Sequence, residues 1–168
     1  MPRNKAGISL IELNKFLGVA TKSTYASGMA ATVNEETGFR ELSFKDGDLS
    51  YRDSYCGFFR SWGRETVWHK GKAIWAHHYG GGMEENMIGN TEFANQTFDF
   101  LKKALSSGEK GEEFQPRGPN SFKDGEWEYA CKLNGDISKF NGTEEIKFKG
   151  KLVFTHTFFG GLVIHRIT

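Results

Sequence analysis

The chain has 168 residues, with 22 Lys and Arg against 21 Asp and Glu and a net charge of +1 at pH 7. That length suits one domain able to bury a core without disulfides. The even charge balance lacks the basic face a nucleic acid would need, and no apolar run reaches the roughly 20 residues of a membrane helix, so neither partner is expected.

In chain order, residues 8–21 predict the first helix. Ser9-Leu-Ile-Glu12 has the spacing of a capping box, with Ile8 and Leu13 placed to close a hydrophobic staple. Leu10, Leu13, Leu17 and Ala20 fall on one stripe. Residues 23–38 are small and polar without a period and are expected to form a loop. Asp46-Gly47 then marks a hairpin. A two-residue loop there would set Phe44 opposite Leu49, Leu42 opposite Tyr51, and Arg40 opposite Asp53. A second hairpin is expected at His69-Lys-Gly71, with a three-residue loop and a bulge that set Val67, Ala73, Trp75, His77 and Tyr79 on one face. Residues 91–107 predict the second helix, capped by Asn90 or Thr91 and ended by Gly108. Phe93, Thr97, Phe100, Leu101, Ala104 and Leu105 form its apolar stripe, and a loop through residue 121 follows.

The chain then repeats itself. FKDGDLSY (residues 44–51) returns as FKDGEWEY 78 residues later, and GRETVWHKGKAIWAHHYGGGM (residues 63–83) as GTEEIKFKGKLVFTHTFFGGL 79 residues later. Repetition on this scale predicts two copies of one supersecondary unit, about 8–83 and about 90–164, within a single domain spanning 1–168. Four strands and one helix would leave much apolar surface open, so the halves are expected to share a core. The expected fold is α+β: two pseudo-symmetric α-β-β-β-β repeats forming a mostly antiparallel curved sheet, with both helices packed on one side. The Gly-rich Tyr79-Gly-Gly-Gly-Met83 and Phe159-Gly-Gly-Leu162 read as strand exits or tight turns, because neither has the strand-to-helix context that cradles phosphate.

The repeat also sorts the polar residues. His77 and His156 are equivalent, as are Glu65 and Glu144, and each Glu is expected beside its His on one face. Metal binding and acid–base work would use such residues, but neither repeat has metal-ligand spacing, and what both copies keep is more simply scaffold, each His bonded to its Glu or to backbone. His77-His78 cannot ligate jointly from one strand, since neighbours point to opposite faces. The asymmetric positions are the better candidates: Tyr51-Arg-Asp53-Ser-Tyr55 has Tyr-Ala-Cys-Lys-Leu as its counterpart. A covered Asp53 needs a partner, and Arg40 is the expected one. Arg40, Tyr51, Asp53, Tyr55, Glu65, Trp75, His77 and Tyr79 therefore form the candidate ligand-binding set. No metal or cofactor is expected. Cys56 and Cys131 are at non-equivalent positions, and the N-terminus lacks a signal-peptide core, so a reducing cytoplasm with free thiols is expected. Trp62 and Trp68 are candidates for exposed rings on the far face.

Several short blocks carry a family resemblance: Leu49-Ser-Tyr-Arg-Asp-Ser-Tyr55, Gly71-Lys-Ala-Ile-Trp-Ala76, Tyr79-Gly80, Phe100-Leu-Lys-Lys-Ala-Leu105, Arg117-Gly-Pro119 and Gly160-Gly161. Together they resemble an uncharacterised bacterial and archaeal domain found alone or behind helix-turn-helix DNA-binding domains. The resemblance covers most of residues 8–163 and implies no assigned activity or site residues; fused members imply a sensory role. With the two units filling the chain, no helix-turn-helix segment is expected within it. The leading functional expectation is a small-molecule-binding or sensory module without its own catalysis. The alternatives are a hydrolase- or isomerase-type enzyme using Asp53, Glu65 and His77, and a homodimeric interaction protein.

Overall fold

A computed structural model describes residues 8–107 and 114–166. Helix α1 spans Leu10–Ser23 behind the expected capping box: Glu12 N–H donates to Ser9 Oγ at 3.1 Å, and Ser9 N–H to Glu12 Oε2 at 2.9 Å. Ile8 and Leu13 are both buried, as a staple requires. The segment after α1, read from sequence as loop, contains a 3-10 turn (Tyr25–Ser27) and a two-residue strand, β1 (Thr32–Val33). Strands β2 (Arg40–Asp46), β3 (Leu49–Gly57), β4 (Arg60–His69) and β5 (Lys72–Met83) follow as a meander. Helix α2 occupies Thr91–Ser107, where Asn90 Oδ1 accepts from Phe93 N–H at 3.1 Å. Gly108, expected to end it, lies outside the described residues. The second meander is β6 (Ser121–Asp124), β7 (Trp127–Asp136), β8 (Lys139–Phe148) and β9 (Lys151–Leu162).

All nine strands form one antiparallel sheet in the order β1-β2-β3-β4-β5-β9-β8-β7-β6. The halves meet at β5 and β9, where Tyr79 pairs with its repeat equivalent Phe158. Exchanging the units carries the pair Trp75–Leu162 onto Met83–Phe154, so a pseudo-two-fold axis passes beside Tyr79. The two helices cover one face, and the core between helices and sheet runs from Leu13 and Leu17 through Tyr51, Val67 and Trp75 to Leu101, Ile146, Phe154 and Phe158. On the other face Trp62 and Phe159 are 62 % and 59 % exposed, whereas Trp68 is half-buried with Arg52 over its ring.

The structure corrects three local expectations. The first hairpin closes one residue later than expected, with Gly47-Asp48 as its loop: Asp46 pairs with Leu49, Leu42 with Asp53, and Arg40 with Tyr55. Gly47 takes φ 55° at the first loop position, the position where a type II′ turn wants glycine. The slip moves each cross-strand partner by two residues, so faces survive while partners change. The second hairpin loop has two residues rather than three. Lys70 and Gly71 both take positive φ, 51° and 78°, which is type I′. The bulge lies further in, between Val67 and Trp68, so Ala73 pairs with Trp68 instead of lying behind Val67, and Ile74 has no partner on β4. Its carbonyl accepts from Val163 N–H at 2.9 Å, and Val153 at the equivalent bulge accepts from Glu84 N–H at 2.9 Å. Each bulge thus ties its unit to the other. The Gly-rich segments are not tight turns but the paired last residues of β5 and β9: Gly81 and Gly82 take φ 131° and 148°, and a Cβ on Gly81 would come within 2.2 Å of the Thr155 carbonyl oxygen across the seam.

Candidate functional site

The covered face of the sheet carries polar residues at the centre of an apolar core. Glu65 on β4 stands opposite His77 on β5, and Glu144 on β8 opposite His156 on β9. All four are at least 96 % buried. Glu144 is fully partnered. Arg117 donates to its Oε1 through Nε (2.9 Å) and Nη2 (2.6 Å), Tyr129 Oη donates to Oε2 (2.8 Å), and His156 Nδ1 lies 3.0 Å from Oε1. Burial alone would raise the Glu144 carboxyl, but Arg117 and the hydrogen-bonded His156 outweigh it and hold Glu144 far below the usual carboxylate range. Arg117 is itself pushed upward: its burial is outweighed by Glu144, then Glu65. Its guanidinium also lies 4.9 Å from the centre of the Tyr79 ring.

Glu65 is less well served. Arg117 Nη1 stays 3.7 Å away, and His77 Nδ1 is 3.2 Å from Oε2 but off the line of a hydrogen bond. Burial would raise the Glu65 carboxyl, but His77, then Arg117 and a hydrogen bond from Tyr51, outweigh it and lower its pKa. Directly opposite Glu65 across β3–β4 is a second carboxylate, Asp53, which is 3 % exposed. Arg40, the partner expected from sequence, stands opposite Tyr55 instead. The Tyr79 hydroxyl fills that role, donating to Asp53 Oδ1 at 2.8 Å. It reaches there because Gly63 has no side chain: a Cβ at Gly63 would come within 2.4 Å of the Tyr79 ring. Burial, then repulsion from Glu65, raises Asp53 to about 7 despite Tyr79 and Arg117. Tyr25, from the turn after α1, is pushed above the usual tyrosine value by burial.

Two cavities flank this cluster, and both touch Thr21, Glu65, Leu105 and Arg117. One, of about 270 Å³, lies between α2, the segment after α1, and the sheet from β2 to β5 with β9. Arg40, Tyr51, Asp53, Tyr55, Glu65 and Tyr79 of the expected set are in its wall. Apolar Met29, Phe58, Phe98 and Leu101 complete much of the rest. Trp75 lines the other cavity, of about 360 Å³, with Asn14, Lys15, Gln115 and Pro116, while its indole N–H donates to the Ile137 carbonyl at 3.0 Å. His77 lines neither cavity and packs between Trp75 and Tyr79. Sequence reasoning thus brought together six of eight residues and left out Arg117, whose guanidinium serves both glutamates. The signal for Arg117 was indirect: two repeat-equivalent buried carboxylates require a cation, and the Lys and Arg of the repeat motifs do not alternate onto their face.

Fold and site together define an α+β protein with an open antiparallel sheet and a carboxylate–arginine cluster buried at its pseudo-two-fold axis. Within that class, residues 53–163 match the family described as a domain of unknown function, DUF5680, and the chain belongs to it. No curated protein and no solved structure matches the chain. No helix among the described residues is long and apolar enough to cross a membrane.

Proposed function

We propose that the protein is a small-molecule-binding module without its own catalysis, and that the cavity over Asp53 is its binding site. The observation that carries this reading is the cavity of about 270 Å³ with apolar walls and a polar end built from Asp53, Tyr55, Tyr79 and Arg117. Such a mixture buries a ligand's body while a few polar groups fix its orientation. Asp53, Tyr55 and Tyr79 belong to the first unit, the side that the sequence asymmetry between Tyr51–Tyr55 and Tyr129–Leu133 singled out, and Arg117 comes from the second. The resemblance to domains that stand alone or follow a helix-turn-helix segment supports a sensory role, in which ligand occupancy is the signal. The free Cys56 and Cys131 suit a cytoplasmic setting.

An enzyme using Asp53, Glu65 and His77 has less support. Asp53 at about 7 would suit a general base, but His77 is fully buried and lines neither of the two cavities that flank the cluster. The test is a thermal-shift screen of a metabolite library against wild type and Asp53→Ala. Compounds that stabilise wild type and lose that effect in the variant are expected; stabilisers indifferent to Asp53→Ala would remove this cavity as the site.

A further inference from the structure

The pseudo-two-fold relation makes the two carboxylate sites directly comparable, and they are not balanced alike. In the second unit Glu144 has Arg117 against it, and the position equivalent to Asp53 is Cys131, whose thiol burial and Glu144 push up to about 11 and so keep neutral. In the first unit the residue 78 positions before Arg117 is Phe39, which brings no charge. Asp53 is instead added directly opposite Glu65. The first unit therefore lacks the cation of the second and carries one more carboxylate, and like charges facing each other across strands are unfavourable. The polar floor of the cavity lies at this deficit, since both Asp53 and Glu65 are in its wall.

An independent observation points the same way. His156 is 3 % exposed, lines the same cavity, and directs Nδ1 to Glu144, while its Nε2 has no partner. Burial lowers the His156 pKa, so Nε2 is an acceptor without a donor. The unspent groups at this end of the cavity thus accept hydrogen bonds. Among the described residues no three His, Cys, Asp or Glu are grouped to hold a metal ion, so the donor they await is not a bare metal.

We propose that the cavity takes an organic cation, a primary amine or an amidinium or guanidinium group on an apolar body, with its charged head between Asp53 and Glu65 where the first unit lacks a counterpart of Arg117. The apolar body would lie against Phe58, Phe98 and Leu101. Of the cations in the wall, Arg117 is held by Glu144 at 2.6 Å and only approaches Glu65, at 3.7 Å; Arg40 at the rim is exposed to water and Lys102 is paired with Asp99, so the repulsion these two exert on an entering cation is screened. This inference rests on the binding reading above and adds the chemical class of the ligand.

The probes are phenethylamine, benzamidine, 2-phenylethanol and phenylacetate, titrated calorimetrically at pH 8 into wild type and Asp53→Asn. The amine and the amidine are expected to bind at least about tenfold more tightly than the alcohol, with phenylacetate weakest. Asp53→Asn, with its fold checked by circular dichroism, should weaken the two cations by at least about tenfold and leave the alcohol unchanged. Equal or tighter binding of the alcohol or the acid, or cation binding indifferent to Asp53→Asn, overturns the inference. So does silence from all four probes. In that case the metabolite screen separates the two claims: neutral or anionic stabilisers that depend on Asp53 leave the binding module standing, and an empty screen removes both.

Discussion

Asp53 is the residue where the protein gives up stability. Burial and Glu65 raise its carboxyl from the ordinary aspartate value of 3.8 to about 7 in the fold, so its contribution is fully present below pH 4 and is lost as pH rises through 7. Asp53→Asn should therefore raise stability at pH 8 by on the order of 2–4 kcal/mol and change nothing at pH 3.5, read from urea midpoints at the two pH values. A gain of equal size at both would show that the asparagine acts through packing rather than charge. Glu144 works in the opposite direction. Its depressed pKa stabilises the fold above the ordinary glutamate range, and that contribution is lost only in strong acid. Gly63 is the second decisive position, because it gives the Tyr79 ring its place. Gly63→Ala should cost about 1–3 kcal/mol by overpacking, and should move the Asp53 midpoint above about 7 by removing the Tyr79 hydrogen bond. A carboxyl-carbon NMR titration reads the midpoint directly, and an unmoved midpoint would mean Tyr79 keeps its contact by another route. At this scale Asp53, Tyr51 and Glu65 were legible because the repeats differ or agree at those positions. The Asp53–Tyr79 bond was not, because it runs diagonally over a glycine that pattern reading treats as empty.

Helices and strands were the most legible level. The periodic stripe predicted α2 at residues 91–107, where it is found. The capping box placed the start of α1, although the helix runs on to Ser23. The turns were harder, since a hairpin sequence fixes that the chain reverses but leaves open which of two adjacent pairs forms the loop. Moving the loop from Asp46-Gly47 to Gly47-Asp48 was enough to exchange the partner of Asp53 from Arg40 to Leu42. The second turn leaves a mark of its own. Lys70 and Lys149 hold φ 51° and 52° at the first position of type I′ loops, where Asn or Gly is favoured. Their ion pairs with Asp48 and Glu126 are exposed and count for little. Lys70→Asn and Lys149→Asn should each add about 0.5–1 kcal/mol, and the double variant should add both, measured by thermal unfolding. A loss at either site would show that its lysine supports the turn through contacts beyond that ion pair.

For the molecule as a whole, Arg117 joins the halves electrostatically as the bulge carbonyls join them by hydrogen bonds. Replacing it leaves Glu144 buried with its main cation gone and removes the ion pair to Glu65, so Arg117→Met should cost about 3–5 kcal/mol or abolish folding. Adding Glu144→Gln should recover a large part of that loss, and denaturant unfolding of the pair of variants checks it. No recovery would mean that Arg117 acts chiefly by filling space. The α+β class and the two-unit organisation could be read from the repeated segments. The joining of the units through β5 and β9, and the arginine that arrives between them, depend on contacts far apart in sequence that no local pattern encodes. The β5–β9 seam has one more consequence. Because its register maps onto itself when the units are exchanged, it is an isologous surface, the kind by which two identical subunits form a closed dimer. A chain with the first unit in both places would satisfy the same seam and would carry two Asp53 positions, one on each side of the axis. The natural chain joins two unlike units covalently, so one of them can carry the extra carboxylate of Asp53 while its neighbour supplies Arg117.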